Sequence, residues 1–129
     1  MEKILLDTQA FLWITSGDPR LGDAARQAFL EPKNRLFLSM ASLWEMAIKI
    51  SIGKLALQPD WPRRIDAEML ANGILWLPIE AEHCVAVSNL PFHHRDPFDR
   101  LLIAQALVED LAVLTADPLF SPYGIKCIW

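Results

Sequence analysis

The chain has 129 residues, a net charge of −4 and a hydrophobic fraction of 53%. This length fits one compact domain and leaves no room for a second core, so we interpret residues 1–129 as a single domain. The acidic balance argues against a protein that grips nucleic acid through a broad basic face. It does not exclude a nuclease, because bound divalent cations make a carboxylate cluster locally far less negative.

The chain lacks the marks of a secreted or membrane-inserted protein. No apolar run approaches the roughly 20 residues of a membrane helix, and the N-terminus MEKILLDTQAFLW has no basic start followed by a cleavage site. We therefore expect a cytoplasmic protein with no role in a membrane. Its mean hydropathy of +0.22 is high for such a protein and indicates that some apolar surface meets a partner.

The two cysteines do not form a recognisable motif. Cys84 and Cys127 are too few for a disulfide scaffold, and neither stands in a CxxC or CxxH pair that would hold zinc. We expect both to be buried free thiols.

Short apolar runs and amphipathic stretches alternate along the first half of the chain. Lys3–Leu6 predicts a strand, and TQAFLWI after Asp7 predicts a helix. After a break at GDP, LGDAARQAFL predicts a second helix. RLFLS predicts a buried strand that runs directly into the helix SLWEMAIKIS, with Ser39 or Ser42 as its N-cap and Gly53 near its end.

The second half continues the alternation. QPDWPRRIDAEMLANG predicts a turn and a helix, ILWLPI a strand, residues 80–90 a helix, PFHHRDP a loop and FDRLLIAQALVED a helix with a strong apolar stripe. AVLT and IKCIW predict strands on either side of the turn-rich DPLFSPYG. This alternation predicts an α/β domain with a mostly parallel central sheet.

Four acidic residues lie at the boundaries of these predicted elements. Asp7 and Asp117 each follow a strand, whereas Glu45 and Asp99 lie near the starts of helices. Because the carboxyl ends of parallel strands line one edge of a sheet, and the following helices start there, the four acids are expected to converge on one crevice.

Such a cluster points to divalent cations. Carboxylates within a few ångströms raise one another's pKa and oppose folding unless something neutralises them. Mg²⁺ and Mn²⁺ prefer oxygen ligands and combine one or two carboxylates with substrate phosphates. Metal sites of this type activate water for phosphodiester hydrolysis, and Glu45 or Asp99 could orient that water.

Each acid also has an ordinary explanation. Asp7 and Asp99 suit the N-cap or first turn of a helix, where free N–H groups favour acids. Asp117 suits a turn before Pro118, and Glu45 could be a solvated helix residue that pairs with Lys49 four residues later. The pattern alone leaves both interpretations open.

Four segments together, MEKILLDTQAFLW, SLWEMAIKISIGKL, HHRDPFDRLLIAQAL and LTADPLF, resemble the PIN-domain ribonucleases, and in particular the VapC-type toxins. The block DPFDRLLIAQA is the most specific of them. The resemblance implies a three-layer α/β/α sandwich whose acidic residues bind Mg²⁺ or Mn²⁺ and cleave RNA. It also implies a homodimer held inactive by a cognate VapB-like antitoxin that occupies the acidic groove.

The resemblance assigns site residues motif by motif. Asp96 offers a rival to the third acid, but a turn or N-cap role before Pro97 is simpler. Thr8 and Thr115 resemble the hydroxyl positions beside the acids and could bond a carboxylate, water or backbone. The four acids that the resemblance implies as metal-binding and catalytic residues are Asp7, Glu45, Asp99 and Asp117.

Several basic residues flank the acids. Arg95, Arg100, Lys49 and Lys54 could contact RNA phosphates, although ordinary surface pairing explains them almost as well.

Histidines and tryptophans are further candidates for the site. His83, His93 and His94 could serve a metal or acid–base role, and the HHRD run could touch RNA. A solvated loop pair is the simpler expectation, because the chemistry needs only carboxylates and metal-bound water. Three tryptophans lie in periodic apolar segments and are expected to pack in a core or interface, whereas Trp61 is expected to be the most exposed. The three are Trp13, Trp44 and Trp76.

Together these observations predict a metal-dependent endoribonuclease, the toxin component of a type II toxin–antitoxin system. A metal-dependent DNA nuclease or phosphatase stays open, because carboxylates alone do not identify the substrate. A non-catalytic α/β binding module, whose acids only cap helices, is the remaining alternative.

Overall fold

The computed structural model describes all residues from 1 to 129 and shows a five-stranded sheet flanked by six helices. The strands are β1 (Lys3–Leu6), β2 (Arg35–Ser39), β3 (Ile74–Leu77), β4 (Ala112–Leu114) and β5 (Cys127–Ile128). The helices are α1 (Thr8–Ser16), α2 (Asp23–Leu30), α3 (Met40–Ser51), α4 (Trp61–Ala71), α5 (Ala81–Val87) and α6 (Pro97–Glu109). Every strand pair is parallel, and the order across the sheet is β3-β2-β1-β4-β5.

The sheet is buried on both faces, which explains why its strands are continuous apolar runs. Along β1, Ile4 and Leu6 belong to one hydrophobic core and Leu5 to the other, and none of the three has accessible surface. Helices α1, α2 and α4 pack over the first core, and α6, backed by α5, packs over the second. The predicted three-layer α/β/α arrangement is therefore confirmed.

Polar caps define where three helices begin. The Asp7 carboxylate accepts the N–H of Ala10 at the start of α1, and the Ser39 hydroxyl accepts the N–H of Ala41 at the start of α3. Asp96 caps α6. Each cap satisfies a backbone donor that the first helical turn leaves free. The sequence predicts a helix in each of these three segments, and the structure has one in each.

The strand order reverses at the centre of the sheet. β2 and β3 extend from β1 on one side, whereas β4 and β5 extend on the other. Leu6 of β1 lies opposite Leu114 of β4, and the Asp7 N–H donates to the Leu114 carbonyl at 3.1 Å. A crevice forms outside the carboxyl ends of the strands at such a reversal, so this edge is where a ligand site is expected.

Two expectations about side-chain burial are wrong, one for the cysteines and one for Trp61. Cys84 and Cys127 are exposed rather than buried, because α5 buries only His83 and because β5 is a two-residue edge strand. Trp44, expected in a core or an interface, lies outside the core and is 58% exposed, since α3 turns its other side, which includes Glu45 and Met46, to the interior. Trp61, expected to be the most exposed tryptophan, packs against the first core.

None of the six helices combines the length and the apolar character that a membrane crossing requires.

Candidate metal centre

A cavity of about 510 Å³ lies at the carboxyl edge of the sheet, and we call it the acidic cavity. It brings together all four acids that the sequence singles out, although they come from four separate places in the chain. Its polar lining includes Asp7, Thr8, Glu45, Lys49, Lys54, Asp96, Asp99 and Asp117.

Asp7 lines the acidic cavity and is only 7% exposed. Its Oδ1 accepts the Ala10 N–H at 2.7 Å, and its Oδ2 accepts the Thr115 hydroxyl at 2.5 Å. Burial raises the pKa of Asp7 to about 6; the nearby charges of Asp117 and Glu45 add to this, and the two hydrogen bonds partly offset it. The fold therefore holds this carboxyl in a costly position.

Glu45 points into the cavity from α3 and is 5% exposed. Thr8 donates its hydroxyl to Oε1 at 2.7 Å, and Lys49 donates its ammonium to Oε2 at 2.7 Å. The bond to Glu45 raises the pKa of Lys49. The predicted pairing at i+4 is thus present, and it places a cation inside the acidic cavity.

Asp99 and Asp96 occupy the start of α6. Asp96 is the N-cap, because its Oδ1 accepts the N–H groups of Phe98 at 2.8 Å and Asp99 at 3.1 Å. The pKa of Asp99 is raised to about 7, chiefly by burial and then by the nearby charges of Asp96 and Glu45. Asp96 therefore caps the helix and also adds negative charge beside Asp99.

Asp117 lies in the turn after β4. Its Oδ1 accepts the Leu119 N–H at 2.9 Å, as a turn residue's carboxylate would. Its own N–H donates to the Thr115 hydroxyl at 3.0 Å, so Thr115 contacts both Asp7 and Asp117.

His94 is the site residue whose position the sequence interpretation did not predict. It is 7% exposed, and its Nε2 lies 2.8 Å from Oδ2 of Asp117 and 3.1 Å from Oδ2 of Asp99. We expected a solvated loop pair, which holds only for His93. The available signal was the position of His94 two residues before the cap of α6, which brings it to the cavity edge.

His83 is buried outside the acidic cavity. The Glu80 N–H donates to its Nδ1 at 2.9 Å, and its Nε2 lies 2.9 Å from Oε1 of Glu109. It supports the start of α5 and its packing against α6.

Arg100, a candidate for phosphate contact, does not face the acidic cavity. Its side chain is buried beneath the loop before α6, and its guanidinium donates to backbone carbonyls there. Arg95 is exposed on the same loop, and Lys49 and Lys54 line the cavity, so these three stay candidates for RNA contact.

The donor set suits a hard divalent cation. Carboxylate oxygens of Asp99 and Asp117 lie within 4.8 Å of each other beside His94, and the other acidic residues that line the cavity are Asp7, Glu45 and Asp96. The pKa values of Asp7 and Asp99 are raised mainly by burial and further by neighbouring carboxylates, and a bound cation would offset both effects. Oxygen donors of this kind are those that Mg²⁺ and Mn²⁺ prefer.

Comparison with known families agrees with this site. The family model described as PIN domain matches residues 4–126. The chain belongs to the PIN domain family. The resemblance of its motifs to the PIN domain is therefore confirmed, and the acidic cavity is the cavity of a PIN domain. A comparison with curated proteins gives no match.

Solved structures share this PIN domain fold over nearly the whole chain. One is a chain of VapBC2 from Rickettsia felis bound to a DNA fragment from their promoter, with a TM-score of 0.70, 13% identity, and coverage of 97% of this chain and 96% of that one. The structure of VapBC-1 from nontypeable Haemophilus influenzae gives a TM-score of 0.65 at 18% identity, and the match covers 97% of this chain and 96% of that one. The structure of FitAcB from Neisseria gonorrhoeae gives a TM-score of 0.62 at 18% identity, and the match covers 96% of this chain and 95% of that one. At these identities the likeness concerns the fold.

Proposed function

We propose that this PIN domain is a Mg²⁺- or Mn²⁺-dependent endoribonuclease and the toxin of a type II toxin–antitoxin system. One observation carries the proposal: four acids from separate elements line one cavity, and two of them, Asp7 and Asp99, have raised pKa values. Perturbed carboxyls gathered in a cleft are typical of functional sites, since a purely structural cluster gains nothing from the repulsion.

Asp7, Asp99 and Asp117 would hold the cation, with Glu45 as a further ligand or as the base that orients water. When bound, the cation activates water and screens the charge of the phosphodiester. Glu45 suits the role of base because Thr8 and Lys49 fix both of its oxygens inside the cavity.

Other residues would hold the substrate. Lys49 and Lys54 can offer positive charge to a phosphate that enters the cavity. Arg95 is exposed on the adjoining loop and can bind the backbone on either side. Thr8 and Thr115 keep Glu45 and Asp7 in place through their hydroxyls.

A VapB-like antitoxin is the partner that we propose for this surface. The structural neighbours are chains of toxin–antitoxin complexes, which supports a partner of this class. A basic side chain of the antitoxin would neutralise the carboxylates much as a cation does. Exposed apolar side chains such as Trp44 and Val85 are compatible with the antitoxin interface and with a homodimer.

The test compares substrates, because a DNA nuclease or phosphatase would use the same carboxylates. Wild type, Asp7→Asn and Asp66→Asn are incubated with Mn²⁺ and labelled RNA, single-stranded DNA, duplex DNA or a phosphate monoester. Asp66 is exposed on α4 and lies outside the acidic cavity, so its variant is a matched control.

We expect cleavage of RNA alone. The activity should be retained in Asp66→Asn and reduced more than about 100-fold in Asp7→Asn. This loss is larger than that expected for substitution of a residue that only supports a metal ligand. Equal cleavage of DNA would assign a DNA nuclease, and turnover of the monoester would assign a phosphatase. A protein that neither cleaves these substrates nor binds Mn²⁺ would be a binding module.

A further inference from the structure

His94 lies between two carboxylates of the acidic cavity. Its Nε2 is hydrogen-bonded to Oδ2 of Asp117 at 2.8 Å and lies 3.1 Å from Oδ2 of Asp99. These acids belong to different elements, because Asp117 follows β4 and Asp99 is in α6. A single ring nitrogen thus joins two parts of the site.

The other ring nitrogen determines which atom carries the proton. Nδ1 of His94 accepts the Asp96 N–H at 3.2 Å, so it is unprotonated. A neutral imidazole has one N–H, which is therefore on Nε2 and faces the carboxylates. A protonated Nε2 has no free lone pair, so the ring in this arrangement is a hydrogen-bond donor and not a cation ligand.

The backbone of His94 is fixed on both sides. Its N–H donates to the Tyr123 hydroxyl at 2.8 Å, and its carbonyl accepts a guanidinium N–H of Arg100 at 3.2 Å. The ring also meets Phe120 edge to face, with centroids 5.8 Å apart. The imidazole can therefore impose a position on its carboxylate partners rather than follow them.

Arg100 holds the loop that carries His94. Besides His94, its guanidinium donates to the carbonyls of Val87, Leu90 and Pro91, at 3.0 to 3.3 Å. It stands over the Phe92 ring at 4.1 Å, and no carboxylate pairs with it. Because Arg100 directly follows Asp99 in α6, it ties the loop to the helix that carries that acid.

We propose that His94 is a positioning residue, whose Nε2–H donates to Asp117 and holds Asp117 beside Asp99 so that both carboxylates face one cation. This inference rests on the proposed function and deepens it. A donor between two like charges offsets part of their repulsion, and a carboxylate oxygen that accepts one hydrogen bond keeps a second lone pair that can bind a cation. The four acids that the sequence singles out do not by themselves account for the contact between His94 and Asp117.

The first measurement is nitrogen NMR of the histidine side chains, which shows directly which ring nitrogen is protonated. His94→Gln assigns the resonances by their loss. We expect a proton on Nε2 of His94 in the metal-free protein and, still, after Mg²⁺ is added. A proton on Nδ1 in the metal-free protein would overturn the inference, and so would an Nε2 proton that Mg²⁺ displaces, because the ring would then be a ligand.

The second measurement is Mn²⁺ affinity, from the paramagnetic resonance signal of free Mn²⁺. His94→Leu removes the donor, His94→Gln keeps an N–H at a similar reach, and His93→Leu changes the exposed neighbour as a control. We expect His94→Leu to weaken binding about 10- to 100-fold, with Gln and the control within about threefold of wild type. Equal affinity in all four proteins would contradict the inference.

Thermal unfolding of the metal-free proteins shows whether His94→Leu folds; if it does not, the NMR result and the His94→Gln affinity decide.

Failure of this inference differs from failure of the proposed function. A protein that binds Mn²⁺ in the expected order but cleaves no RNA loses only its ribonuclease assignment. Metal-dependent RNA cleavage with equal Mn²⁺ affinities removes only the role of His94. A wild type that binds neither cation would overturn both.

Discussion

The hydroxyl of Thr115 joins the two central strands at the point where both reach the acidic cavity. Thr115 Oγ1 donates to Oδ2 of Asp7 at 2.5 Å and accepts the N–H of Asp117 at 3.0 Å. The side chain is 3% exposed, so water does not compete for these bonds. One hydroxyl therefore sets the relation between two proposed cation ligands.

Replacement of Thr115 by Val keeps the shape of the side chain and removes this hydroxyl. The hydrogen bond from Thr115 lowers the pKa of Asp7, so its loss raises that pKa further and makes the carboxylate harder to form. We expect Thr115→Val to reduce both Mn²⁺ affinity and RNA cleavage about 10- to 100-fold. Thr115→Ser keeps the donor and is expected to stay near wild type. Equal losses in the Val and Ser variants would mean that packing, not the hydroxyl, is what matters.

The metal-free protein is expected to become more stable as the solution is acidified. The pKa of Asp7 is about 6 and that of Asp99 about 7, both above the ordinary value of 3.8. A group whose pKa is raised by folding favours the folded state in its protonated form, so stability rises as pH falls through these values towards 3.8. Thermal unfolding in EDTA at about pH 5 and about pH 8 measures the difference, expected to be several degrees.

Asp99→Asn removes one of the two raised groups. It should unfold at a higher temperature than wild type at about pH 8 in EDTA, and with a smaller pH dependence. Asp66→Asn, an exposed substitution of the same kind, should keep the wild-type dependence. Added Mn²⁺ should stabilise wild type more at the higher pH, because protons compete for the ligands. A wild type in EDTA that loses stability on acidification over this range would contradict the account.

Lys49 neutralises Glu45 in the metal-free site, with 2.7 Å between Nζ and Oε2. Lys49→Met removes a positive charge that opposes a cation but would attract a phosphate. We expect Mn²⁺ affinity to rise a few-fold while RNA affinity falls. Separate titrations with Mn²⁺ and with RNA show whether the two affinities change in opposite directions. Lys33→Met, at an exposed position outside the cavity, is the control. A parallel fall in both affinities would show that Lys49 only supports the fold.

Arg100→Lys tests the support of the loop before α6. A lysine ammonium cannot reproduce the planar set of bonds from one guanidinium to several carbonyls. A buried carbonyl left without a donor, such as that of His94, costs about 1–3 kcal/mol, so we expect a clear loss in the free energy of unfolding, measured by denaturant titration. RNA cleavage should fall with it. If cleavage falls while stability is unchanged, Arg100 contacts substrate after all.

The sequence was sufficient for the elements and for the convergence of the acids. Continuous apolar runs and helical stripes identified the strands and helices, and the rule that parallel strands share a carboxyl edge brought Asp7 and Asp117 together. The ordinary explanations hold in part: Asp7 caps α1, and Glu45 pairs with Lys49, but Glu45 is buried rather than solvated. A capping carboxylate at this edge is also placed to line the cavity, so the two interpretations do not exclude each other.

Other features could not be read from the pattern. His94 and Arg100 depend on the path of a loop that has no periodicity, and only the folded chain shows which carbonyls meet the guanidinium. Trp44 lies in an apolar stretch, yet Glu45 beside it takes the inward position because the cavity is polar. Hydrophobicity predicts burial poorly where a polar site displaces the core.

The central claim is that the acidic cavity hydrolyses RNA with a divalent cation. The most direct measurement is cleavage of a labelled structured RNA by wild type, Asp99→Asn and Asp66→Asn, each with Mn²⁺ or with EDTA. The account predicts cleavage by wild type and Asp66→Asn in Mn²⁺, none in EDTA, and none by Asp99→Asn. Cleavage that survives both EDTA and the Asp99→Asn substitution would contradict it.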